Sequence, residues 1–145
     1  MKGKFIMKGQ CVCGETTFEV ELSNHDVHAC HCSICRRQTS GVIMTIDVKQ
    51  GSLKFLKQDH LSIYNSSAWG ERGFCNACGT NLFWRTKDQN YCNINAFALN
   101  ESPQDLNFDL EIYIDSKPEF YAFQNATKKM TEADVVALFN VEAKE

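Results

Sequence analysis

The chain has 145 residues, 43% hydrophobic and 11% aromatic, which suits one domain with a packed core and excludes a disordered chain. A formal charge of -3 gives no general attraction to phosphate backbones or anionic lipids, so neither nucleic acid nor membrane is expected as a partner. No apolar run nears the roughly 18 to 20 residues that span a bilayer; with no export-type apolar stretch in MKGKFIMKGQ, a cytoplasmic location is expected.

Along the chain, most apolar segments alternate with period two and predict short strands. In 17–22, Phe18, Val20 and Leu22 alternate with Glu19 and Glu21. The β-branched stretch 42–48 follows, and Gly51 turns the chain into 53–56. Strands are predicted next at 61–64, 73–74, 81–85, 91–99 and 110–114. Within 91–99, Ile94, Ala96 and Ala98 share one face, and Tyr91, Asn93, Asn95, Phe97 and Leu99 the other. Phe83, Trp84 and Phe97 are expected in the core, or along a pocket if a metal site opens beside them.

Two segments predict helix. One is a single turn over 33–39, leaving a cysteine cluster. The other opens with Thr131-x-x-Asp134, a capping-box pattern, and places Val135, Leu138 and Phe139 at helical spacing. No repeat, biased tract or linker divides the chain. One mainly β domain over 1–145, with a short C-terminal helix, is the expected fold.

Seven of the eight cysteines fall in three clusters: Cys11-x-Cys13, Cys30-x-Cys32-x-x-Cys35 and Cys75-x-x-Cys78. Thiols so close in sequence are poorly placed to bridge one another, which favours metal over disulfides. Four thiolates close a tetrahedral structural site, and three leave a metal with one open position. A thiol arriving at that position is held as a thiolate, and Arg36 and Arg37 could offset charge there or attract a carboxylate. Spacing alone allows two divisions. Cys11 and Cys13 can join Cys75 and Cys78, leaving Cys30, Cys32 and Cys35; or Cys32, Cys35, Cys75 and Cys78 can group, leaving Cys11, Cys13 and Cys30. His31 could ligate, act as acid or base, or point away, and the last is expected because both neighbours are proposed ligands. His25, His28 and His60 are expected at the surface, and Cys92 as a small buried hydrophobe.

Gly9-Gln10-Cys11-Val12-Cys13-Gly14, Cys30-His31-Cys32-Ser33-Ile34-Cys35-Arg36-Arg37 with Ser40-Gly41, Tyr64-Asn65-Ser66-Ser67 and Phe74-Cys75-Asn76-Ala77-Cys78-Gly79-Thr80-Asn81-Leu82-Phe83-Trp84 together resemble one family. It is the glutathione-dependent formaldehyde-activating enzyme and centromere protein V family, with a GFA-type core over about 9–121 and a C-terminal extension over 125–145 that matches no family feature. The resemblance implies a β-tent of small antiparallel sheets pinned by zinc. It implies two zinc ions per chain: a structural one on Cys11, Cys13, Cys75 and Cys78, and a catalytic, more easily lost one on Cys30, Cys32 and Cys35. Arg36 and His31 stand as candidate substrate contacts. The implied activity is a carbon–sulfur lyase reaction on an adduct of a small thiol, such as glutathione, with an aldehyde such as formaldehyde. The alternative is a non-enzymatic, zinc-stabilised binding or scaffold protein, which the centromere protein branch suggests.

Overall fold

The computed structural model describes residues 6–141; the first five and last four residues of the expected domain, with the end of its C-terminal extension, lie outside the described residues. In chain order the strands are β1 (Ile6–Gln10), β2 (Thr17–Cys30), β3 (Ile43–Val48), β4 (Lys54–Lys57), β5 (Leu61–Asn65), β6 (Gly70–Cys75), β7 (Asn81–Thr86), β8 (Cys92–Asn95), β9 (Asn107–Ile112) and β10 (Lys128–Met130). Helix α1 (Ser33–Thr39) follows β2, and α2 (Glu132–Phe139) follows β10. The fold is mainly β with two short helices, as expected.

Strand β2 organises the molecule. Its first half pairs with β1 and β4, its second half with β3 and β9. The hydrophobic alternation lapses at Ser23-Asn24-His25-Asp26, so the sequence predicts a strand that stops at Leu22. The strand instead continues to Cys30 through a register shift against β3 between Leu22 and Val27. Such an irregularity bends a strand and re-aims its side chains. Val27 and Ala29 then point inward, and Cys30 is delivered to the sheet end.

The larger sheet runs β10-β9-β2-β3-β8-β7-β6-β5. Two of its pairings, β2 with β9 and β9 with β10, are parallel. The resemblance implied antiparallel sheets; here the chain reaches β9 and β10 by long connections rather than hairpins, and such crossovers permit parallel pairing. Strand β10 has no alternation to mark it, and its strand character comes from its neighbour β9.

The segment 91–99 is strand only over Cys92–Asn95. The Asn95 side chain accepts from the Phe97 backbone N–H and caps a 3₁₀ turn at Ala96–Ala98. Ile94, Ala96 and Ala98 are buried together as predicted, but the turn swings Phe97 out to 76% exposure and Leu99 inward. The main core joins Phe18, Val20, Ile46, Leu82, Phe83 and Ile94. A second, smaller core surrounds Cys32, Cys35, Ile43, Tyr113 and Val135. Among the described residues no helix is long and apolar enough to cross a membrane.

Two cysteine clusters and the cavity beside one of them

The first cluster forms where two turns meet. Cys11 and Cys13 lie in the turn between β1 and β2; Cys75 ends β6, and Cys78 lies in the turn before β7. All four sulfurs are within 4.8 Å of one another. Cys13 Sγ is 3.6 Å from Cys11 Sγ and 3.9 Å from Cys75 Sγ. Two sulfurs at about 2.3 Å from one tetrahedral zinc stand about 3.8 Å apart, so the donor set fits that ion.

Donors in the turns reach the sulfurs of Cys11 and Cys78. Gly14 and Gly79 adopt φ of 79° and 86°, a left-handed conformation that glycine takes without strain. The Thr16 N–H donates to Cys11 Sγ at 3.3 Å. Thr80 Oγ1 lies 3.2 Å from Cys78 Sγ; that hydroxyl, followed by backbone N–H groups, holds the Cys78 thiol down at about 5. Thr80 also accepts from the Val12 N–H at 3.1 Å and ties one turn to the other.

The second cluster is Cys30, Cys32 and Cys35, again with all sulfurs within 4.8 Å of one another. Cys30 closes β2. Cys32 is the N-cap of α1, its sulfur accepting the Cys35 N–H at 3.3 Å, and Cys35 faces inward from the first turn. One short helix start thus gathers three donors of the type a soft divalent cation prefers. The division into four and three follows the first of the two that spacing allowed.

Arg72 adds a charge that the sequence did not advertise. It is fully buried, and its Nη1 donates to Cys35 Sγ at 3.4 Å and to Gln38 Oε1 at 3.4 Å. Three thiolates on a dication carry a net charge of about -1, which a buried guanidinium offsets. Arg36 serves differently. Its Nε donates to the His31 carbonyl at 2.9 Å and its Nη2 to the Ser116 carbonyl at 3.5 Å. Arg37 is exposed.

His31 is wholly buried and points away from the sulfurs' shared centre, into a polar network. Its Nε2 lies 2.8 Å from Glu111 Oε1 and its Nδ1 2.7 Å from the Tyr121 hydroxyl. The second Glu111 oxygen accepts from Thr127 at 2.5 Å. Burial works against the ionised carboxyl, yet hydrogen bonds from Thr127 and His31 outweigh it and lower the Glu111 pKa. An ionised carboxylate only accepts, so Nε2 carries the proton. This network fixes the loop between Cys30 and Cys32 to β9 and to the segment after it. Glu111→Ala, which strands a buried imidazole, is expected to cost about 3 kcal/mol in urea denaturation. With its pKa depressed, Glu111 contributes stability that is full above the ordinary carboxyl range and lost as pH falls through the lowered value. The variant should lack that part of the acid dependence.

A cavity of about 70 Å³ opens beside the second cluster, reaching Cys30 and Cys35 and lined also by Arg72, Trp69 and Trp84. Neither His31 nor Arg36 lines it. His28, expected at the surface, does line it. Its ring faces Asp47 at 3.9 Å and Asp109 at 3.6 Å, because β2 sets it two residues before Cys30 on the same face. His25 and His60 are about half exposed. Cys92 joins no cluster; it packs on the main core, and burial pushes its thiol up to about 12. Phe83 is fully buried, whereas Trp84 faces the cavity.

Arg72 and Glu111 escape sequence reading because alternation assigns charged residues outward, and their partners are distant in the chain. The cysteine spacing was the one strong local signal.

Comparison with known proteins agrees with this geometry. A family model described as glutathione-dependent formaldehyde-activating enzyme matches residues 6–116. An uncharacterized lyase of Schizosaccharomyces pombe (strain 972 / ATCC 24843) is 31% identical over 130 residues, covering 89% of this chain and 93% of that protein. A solved structure of a Rhodobacter sphaeroides protein, 26% identical, superposes with a TM-score of 0.59, covering 68% of this chain and 92% of that one. The chain belongs to the glutathione-dependent formaldehyde-activating enzyme (GFA) family.

Proposed function

We propose that this chain is a zinc-dependent carbon–sulfur lyase acting on the adduct of a small thiol with an aldehyde, the reaction type of S-(hydroxymethyl)glutathione formation. The observation that carries the reading is the position of the three-sulfur cluster against a cavity, while the four-sulfur cluster uses every ligand position on its own residues. Family membership and the lyase name of the yeast relative support it. Cys11, Cys13, Cys75 and Cys78 would hold a structural zinc, and Cys30, Cys32 and Cys35 a second zinc. Bound there, that second ion would lower the pKa of an arriving thiol and favour its thiolate at neutral pH.

In the forward direction the thiol sulfur bonds to the carbonyl carbon. The carbonyl π pair moves to oxygen, which takes up a proton equivalent to the one the thiol lost. The reverse direction breaks the same carbon–sulfur bond and returns thiol and aldehyde. Around this exchange the chain supplies largely apolar walls, balances the cluster's charge with Arg72 and fixes the ligand loop through His31 and Glu111. Arg72→Gln is therefore expected to lower kcat/KM about 10- to 100-fold, the usual cost of losing a group that supports a metal's ligands.

The test is exchange between free thiol, aldehyde and adduct, followed by NMR line broadening or magnetisation transfer. Acceleration that disappears in Cys32→Ser supports the reading. No acceleration with any of a panel of thiols and aldehydes would leave a binding protein as the better description.

A further inference from the structure

The extension beyond the family match at residue 116 is not a tail. Strand β10 pairs in parallel with β9, setting Lys128 against Leu110 and Met130 against Ile112. Helix α2 then starts with a complete capping box, in which Thr131 accepts the Asp134 N–H and Asp134 accepts the Thr131 N–H. The Glu132 N–H also donates to Asp115 Oδ1 at 3.1 Å. Contacts outside the cavity therefore hold the helix in place.

What α2 presents from that seat is Val135 and Phe139, and both line the cavity beside Cys30 and Cys35. Val135 is 3% exposed and belongs to the same small core as Cys32 and Cys35. The Phe139 ring centroid lies 5.2 Å from that of Trp69, 5.3 Å from Tyr91 and 6.3 Å from Trp84. Five aromatic side chains, Trp69, Trp84, Tyr91, Tyr113 and Phe139, thus line the cavity that reaches the sulfurs, and Phe139 comes from the extension.

Size decides what such a chamber accepts. A cavity of about 150 Å³ admits benzene, and drug-sized pockets begin at about 300 Å³. At about 70 Å³ this one takes only a few non-hydrogen atoms. Of a larger thiol, only the end that carries the sulfur fits in that space.

We propose that α2 is the size gate of the three-cysteine site, with Phe139 as its specificity-determining residue, and that the site prefers the adduct of a thiol of one to three carbons over that of glutathione. This rests on the lyase reading above.

Two readouts on the full-length, zinc-loaded protein separate the two ideas. Trp69 and Trp84 line the cavity, so indole fluorescence reports occupancy without turnover; adduct exchange by NMR reports chemistry. Propane-1-thiol and glutathione, each with and without formaldehyde, are the probes. The gate predicts that the short thiol perturbs fluorescence at concentrations at least about tenfold below those glutathione needs, and that exchange follows the same order. Phe139→Ala, which opens the wall, should narrow that preference to within about threefold, and Phe139→Leu should fall between. The Leu variant keeps most of the packing volume and remains informative if the Ala variant folds poorly. Leu138→Ala, at a side chain 69% exposed, should change nothing. Equal or stronger response to glutathione in the unaltered protein would overturn the gate, and exchange in that experiment would leave the lyase reading standing. Selective binding of propane-1-thiol with no exchange would do the opposite.

Discussion

Cys75→Ser is expected to unfold the protein. Cys75 is fully buried, and its sulfur is one of four that join the turn before β2 to the turn between β6 and β7. Cys13 and Cys75 lie 62 residues apart in sequence. Structural zinc contributes about 10–16 kcal/mol of apparent binding free energy in small zinc domains, as much as a whole domain's usual stability of about 5–15 kcal/mol. A serine hydroxyl does not replace a thiolate on zinc. Circular dichroism should show no cooperative transition at 25 °C in the variant, and strong chelators should do the same to the unaltered chain. A folded Cys75→Ser protein melting within a few degrees of the original would contradict a structural role for this cluster.

Cys32→Ser is expected to separate function from fold. The substitution falls at the N-cap of α1, where serine is among the preferred residues, and its hydroxyl can accept the Cys35 N–H that the sulfur accepts now. Stability should change by no more than about 1 kcal/mol. Catalysis should fall by more than about 100-fold, because losing a ligand costs more than the 10- to 100-fold typical of outer partners. Unfolding by Cys32→Ser would mean that both clusters are structural.

The cysteine clusters were readable from the chain because spacing is a local signal, and so was the strand-rich fold; spacing left the division of the sulfurs open, and the family resemblance implied the four-and-three grouping that the fold brings together. Phe18 and Val20 alternate cleanly against glutamates and are buried as that pattern requires. The same rule failed where tertiary pairing dominated. Polar residues 23–26 hid the second half of β2, and Lys128–Met130 became a strand only because β9 lies beside it. Asn95 turned a predicted strand outward at Phe97 through one side-chain cap. The site shows the same limit. The three sulfurs were visible in sequence, but Arg72 reaches Cys35 from 37 residues away and Glu111 reaches His31 from 80. Phe139 read as one apolar position of an amphipathic helix; only the fold brings it to Trp69 and Tyr91.

Zinc content per chain, measured by elemental analysis on protein purified without chelators, tests the division of labour most directly when the unaltered chain and Cys32→Ser are assayed side by side. Two zinc ions per unaltered chain, and one in a folded Cys32→Ser variant that has lost exchange activity, are the predicted result. A single zinc that is unchanged by Cys32→Ser, in protein that still catalyses exchange, would contradict it.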